Sequence, residues 1–279
     1  MTKKANRRKK VAILMASEPE FDKFALKYFL LSLNRIQSTY EFAFPDVDTP
    51  FCTEDSYTEG ALYRAFTKAK KDINFDRESD FDGAPDFFIN IITSEIEGNL
   101  FFTVTGKNVA FVTTYMWEKY YSPPSLFEYL LQTLTASLIL MHPKIDLGAH
   151  DATWGCALDY CADKEDEKVD ISLGYLCDKC RKEITNNAGA DYLSDVSTMM
   201  GRKWIGSINK FDSVAYNLKR FFKFDIDKDS GFNKTFWERV KEDLPTIPKE
   251  FVVAMISFIF GVLIVWLTIY IKTKFGVEP

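Results

Sequence analysis

The chain is short of the side chains that most metal and redox chemistry needs: its 279 residues include only two histidines and five cysteines. Two histidines exclude a three-histidine metal centre. Five cysteines are too few for a disulfide scaffold of this length. No H-E-x-x-H motif, phosphate-cradling glycine-rich loop, nucleophile elbow or cysteine–histidine pair stands in the sequence, and no internal repeat is visible. Charge of one sign is also lacking: 35 Lys and Arg against 40 Asp and Glu leave a net charge of -5, which carries no general nucleic-acid signal. With 47% hydrophobic and 27% charged residues, the chain is too apolar for disorder and too charged for a polytopic membrane protein.

One long apolar run is present. Residues 251–271 read FVVAMISFIFGVLIVWLTIYI without a charge. As a helix this stretch rises about 30 Å, the thickness of a bilayer core. Trp266 and Tyr270 suit a lipid–water boundary, and Lys249, Lys272 and Lys274 can snorkel outward. A buried core helix is the alternative, but no polar face is reserved for water. The expectation is a single-pass anchor in membrane lipid. Lys234, Arg239, Lys241 and Lys249 bias the N-terminal body toward the cytoplasmic side. Ser257 and Gly261 form one small-x3-small pair, the feature that would support a homo-oligomer.

The cysteines supply the other feature. Cys156, Cys161, Cys177 and Cys180 form C-x4-C-x15-C-x2-C. Two close pairs separated by a loop can place four sulfurs at the corners of a zinc tetrahedron, and a site closed by four cysteines is structural, with no corner left for substrate. A cluster of buried thiols without metal is the alternative. Gly155 and Gly174 stand where the pairs need tight turns. Cys52 has no partner at ligand spacing.

Around these features the pattern predicts a mixed α/β (or α+β) fold, a sheet with flanking helices. Strands are expected at 11–15, 40–44 and 87–96, with a hairpin over 100–114 turning at Thr105-Gly106-Lys107-Asn108. Helices are expected at 19–35, 58–73, 125–141 (closed by Pro143), 191–200 and 211–222. The charge-dense stretch 162–170 reads as solvated surface, and Asp225–Gly231 as an acidic turn ahead of a helix over 233–244 rather than a calcium loop. Lys219, Arg220 and Lys223, interleaved with phenylalanines, fit either a lipid-facing patch or one side of a packed helix. The implied organisation is a basic tail over 1–10, an α/β body over 11–145, a zinc module packed on it over 146–190, a helical juxtamembrane region over 191–248, and the anchor with its tail over 249–279.

The hairpin, the following helix and the cluster Gly155, Cys156, Cys161, Cys177, Cys180 together resemble the archaemetzincin family of zinc peptidases, over about residues 11–184. The resemblance implies a structural four-cysteine zinc, matched here, and a catalytic H-E-x-x-H-x-x-G-x-x-H helix, which is missing. In its place stands LTASLILMHPKIDLGAHDATWGC, where His142 and His150 are separated by Pro143 and cannot be neighbours on one helix turn. The implied protein is a pseudoenzyme that keeps the fold and its structural zinc. Its expected role is non-catalytic binding or sensing of a protein or peptide partner, and its domain order is analogous to prokaryotic stress or antiviral defence proteins. The alternative is a membrane-tethered, peptidase-like hydrolase with a divergent metal site at His142, Asp146, His150 and Asp151.

Overall fold

A computed structural model describes residues 7–15, 21–45, 54–72, 83–117, 124–150, 155–161 and 166–229, together with 257, 261–266 and 270. The chain divides into two compact units, Met1–Phe232 and Asn233–Pro279.

The first unit is built on a five-stranded sheet of order β2-β1-β4-β7-β6, from β1 (Lys9–Met15), β2 (Tyr40–Ala43), β4 (Phe87–Ile92), β6 (Phe102–Thr105) and β7 (Val109–Thr113). β1 runs parallel to β2 and β4, and β4 parallel to β7; only the β6–β7 hairpin is antiparallel. Parallel central strands are covered on both faces, so they read as unbroken apolar runs such as FFINII. Successive side chains serve opposite layers. Val11, Ile13, Ile89, Ile91 and Val112 enter a large core with α1 (Lys23–Leu31) and α3 (Leu126–Met141). Ala12, Leu14, Phe88, Ile92 and Phe111 enter a smaller one with Leu62 and Phe66 of α2 (Glu59–Asp72). A short parallel pair, β3 (Ser56–Tyr57) with β5 (Glu95–Ile96), lies outside the main sheet.

α3 is buried along nearly its whole length. Ser125 and Glu128 form a reciprocal capping box at its start, where Ser125 N–H donates to the Glu128 carboxylate at 2.8 Å. The buried hydroxyls of Thr133, Thr135 and Ser137 donate to carbonyls one turn back, which satisfies them in apolar surroundings. Pro143 forces an extended backbone at His142 (φ -68°, ψ 122°), ending the helix as expected.

Four more helices follow: α4 (Glu167–Leu173), α5 (Asp178–Ala188), α6 (Ala190–Met200) and α7 (Val214–Phe222). Polar contacts tie α6 and the turn after it to α3 and to the start of β2. Arg202 pairs with Glu128 at 2.6 Å, the Tyr40 and Tyr192 hydroxyls meet at 2.8 Å, and Asp195 accepts from Ser38 N–H and from the Ser38 and Thr39 hydroxyls. Cys156, Leu158, Ile171 and Ile184 belong to the same core as β1 and α3.

Several expectations change. The stretch 87–96 is two strands, broken where the backbone carbonyl of Ser94 turns aside to accept from the Thr113 hydroxyl. The 162–170 stretch is not simply solvated surface: α4 carries Glu167 and Asp170 into the interior, only 3% and 2% exposed. α7 packs one side, through Phe222 on Tyr28, and leaves Phe221 67% exposed. The expected helix over 233–244, the tail before residue 7 and Cys52 lie outside the described residues.

In the second unit, residues 261–266 are helical, and Val262, Leu263, Ile264, Val265 and Trp266 are each more than half exposed. The rings of Trp266 and Tyr270 stack at 5.6 Å. Most of the expected anchor lies outside the described residues, and among those described no helix is long and apolar enough to cross a membrane.

Candidate metal centre

The chain leaving α3 delivers His150 to a small knot of backbone pairing. His150 N–H donates to Leu158 O at 3.1 Å, and Tyr160 N–H donates to His150 O at 2.8 Å. Ala157 N–H donates to Tyr175 O, which brings the Cys156 segment beside the one leading to Cys177. Gly155 sits at φ +135°, where a Cβ would run into the Leu173 and Tyr175 side chains. Cys177 is the N-cap of α5 and Cys180 lies in its first turn, so a C-x2-C pair at a helix start turns both sulfurs the same way.

His150, Cys156, Cys177 and Cys180 offer four ligand atoms within 4.8 Å of one another. His150 Nε2 lies 3.2 Å from Cys180 Sγ and 3.6 Å from Cys177 Sγ, and the Cys156 and Cys180 sulfurs are 3.9 Å apart. A zinc tetrahedron with Zn–S about 2.3 Å and Zn–N about 2.0 Å requires ligand separations of about 3.5–3.8 Å. The donors therefore fit zinc, in a Cys3His set that is closed to substrate.

Second contacts prepare the ligands. Asp159 Oδ1 lies 3.1 Å from His150 Nδ1, which places the ring proton on Nδ1 and turns Nε2 toward the sulfurs. The other Asp159 oxygen accepts from Gly155 and Cys156 N–H. Cys177 N–H donates to Cys156 Sγ at 3.3 Å. The hydrogen bond from Cys180 lowers the Cys156 thiol to about 5, helped by the Cys177 amide and opposed by burial. The same contact, with burial, raises Cys180.

Cys161, expected as the fourth sulfur, stands elsewhere. Its Sγ donates to Asp170 Oδ2 at 3.1 Å and it groups with Glu167 and Asp170, while His150 occupies the fourth corner. The reason lies in the chain path: the pairing of His150 with Leu158 and Tyr160 puts the imidazole among the sulfurs, and Cys161 continues past it toward α4. The other pocket residues do not assemble around His150. His142 packs against the Tyr192 ring at 4.6 Å with the rings tilted by 40°, Asp146 is exposed, and Asp151 lies outside the described residues. The cysteine–histidine pair invisible as a motif is thus made by the fold. Its one signal in the sequence is the position of His150 just ahead of Cys156, with Asp159 just after.

No family model matches the chain, and no curated protein matches it. Among solved structures it is similar to the crystal structure of archaemetzincin from Methanopyrus kandleri, at 13% identity, with a TM-score of 0.43, over 65% of this chain and 96% of that one. That is a distant likeness, and the zinc assignment made here stands on the donor set itself.

Proposed function

We propose that this protein is a membrane-tethered binding or sensing module whose zinc holds structure rather than performing catalysis. The observation that carries the reading is the closed ligand set: four protein donors surround the zinc position, which leaves no corner for an activated water. The zinc clamps the His150 loop, the Cys156 turn and the start of α5 to one point. A protein or peptide partner is the expected ligand.

The tether is supported by residues 261–266. Six consecutive helical residues cover more than one full turn, and Val262 to Trp266 are exposed on every side of it. An apolar helix exposed all round suits lipid rather than water. A cytoplasmic body and a homo-oligomer extend the same reading. The stress-or-defence setting rests on domain order alone.

Two measurements test it. The full chain should float with vesicles of neutral and anionic phospholipid, and Ile264→Arg with Val265→Arg should abolish flotation. Zinc-loaded protein should not cleave a peptide library. Cleavage that disappears in His150→Ala would defeat the non-catalytic reading and favour the hydrolase alternative.

A further inference from the structure

Beside the Cys3His centre lies a second cluster that the proposed function does not use. Cys161, Glu167 and Asp170 place three ligand atoms within 4.8 Å of one another. Glu167 and Asp170 are three residues apart on α4, hence on one face of the helix. Their side chains belong to residues only 3% and 2% exposed. Acidic groups almost never go fully inside unless something positive compensates them. Among the described residues no ion pair reaches either one, and the charged groups acting on them are acidic: Asp159, Asp166 and the Cys156 thiolate.

We propose that Cys161, Glu167 and Asp170 form a second divalent-cation site, of the zinc class, separate from the Cys3His centre. One thiolate and two carboxylates combine a soft donor with two hard ones, a set that borderline zinc accepts and that calcium or magnesium, which take oxygen donors, do not. A divalent ion offsets the buried negative charge directly. Burial and the neighbouring acids hold Glu167 up to about 8 and Asp170 up to about 6, and push Cys161 upward as well. The cation therefore enters by displacing protons.

The proposal is independent of membrane attachment. The experiment is metal counting on the purified full chain in mild detergent, followed by cobalt substitution. Wild type should hold two zinc ions per chain. Glu167→Gln and Asp170→Asn should each hold one, with unchanged circular dichroism. In the cobalt protein, Cys161→Ser should remove one thiolate-to-cobalt absorption component and leave the three-thiolate spectrum intact. One zinc in wild type, retained by all three variants, overturns the second site and leaves the first standing. One zinc in wild type that Cys161→Ser abolishes overturns both, because Cys161 would then be a ligand of the first centre. Flotation is unaffected in every case, which keeps the tether separately testable.

Discussion

Two clusters of side chains able to hold a metal ion treat negative charge in opposite ways. Around His150, Cys156, Cys177 and Cys180 the backbone is recruited: the Cys177 amide reaches one sulfur, and Asp159 orients the imidazole while itself held by two amides. Around Cys161, Glu167 and Asp170 the thiol donates to a carboxylate, and among the described residues the charges acting on Asp170 are acidic. The difference teaches what a built thiolate site requires. Soft ligands converge on one point and hydrogen-bond donors converge on the ligands, which favours the thiolate form of Cys156. Among the described residues the second cluster has convergence without a basic partner, which is the charge a cation would supply.

The sharpest way to break this contrast is to remove a sulfur from each side. Cys180→Ser should lose the first zinc and unfold at physiological temperature, since a structural zinc contributes on the order of 10 kcal/mol to folding; Cys161→Ser should keep that zinc and remain folded. Metal content and thermal melting decide, and equal loss in both variants would erase the distinction. Next in size is Asp159→Asn, expected to weaken zinc at the first centre by about 10- to 100-fold through loss of imidazole orientation. Competition with a chromophoric chelator reads this, and an unchanged affinity would mean that Asp159 serves only the backbone turn.

Gly174→Ala probes whether the two clusters are mechanically joined. Gly174 ends α4 at φ +56° and an added Cβ would stand 2.8 Å from the Met200 carbonyl oxygen, which is backbone and cannot easily give. A loss of about 1–3 kcal/mol is expected by urea unfolding. Because Tyr175 next to it pairs with Ala157, both metals should weaken together; loss confined to one cluster would show them to be independent.

The smallest effect compares the two histidines. His150 faces sulfurs, whereas His142 is held below its ordinary value of 6.5 by burial, with Lys144 and Lys9 adding. Below that pH the unfolded chain takes up a proton that folded His142 resists, so stability should fall as pH drops from about 7 toward 5. His142→Phe keeps the ring against Tyr192 and should flatten that part of the slope in urea midpoints. An unchanged profile would mean that His142 titrates alike in both states.

Much of the sheet was legible because its signals are local. The unbroken apolar runs of β1 and β7 and the turn at Gly106 each lie within a few residues of what they specify. The C-x2-C spacing of Cys177 and Cys180 and the glycine turn before Cys156 are local signals of the same kind, but the same spacing argument also counted Cys161, which the fold places elsewhere. α4 could not be read this way. Its residues are charged, and charge normally marks solvent, so a buried acidic face looks like surface until the fold brings Cys161 to it. β3 was equally hidden, being two residues long and paired with β5 across a long separation.

The amino-acid order on its own determined the layered α/β body, the length of α3 and a zinc-grade set of thiols, since hydrophobic period, caps and ligand spacing act over one or two turns. Which four atoms meet at the metal was decided only by the tertiary structure. Coordination depends on where loops distant in sequence cross in space, and a one-strand pairing of His150 with Leu158 and Tyr160 was enough to put an imidazole where a fourth sulfur was expected.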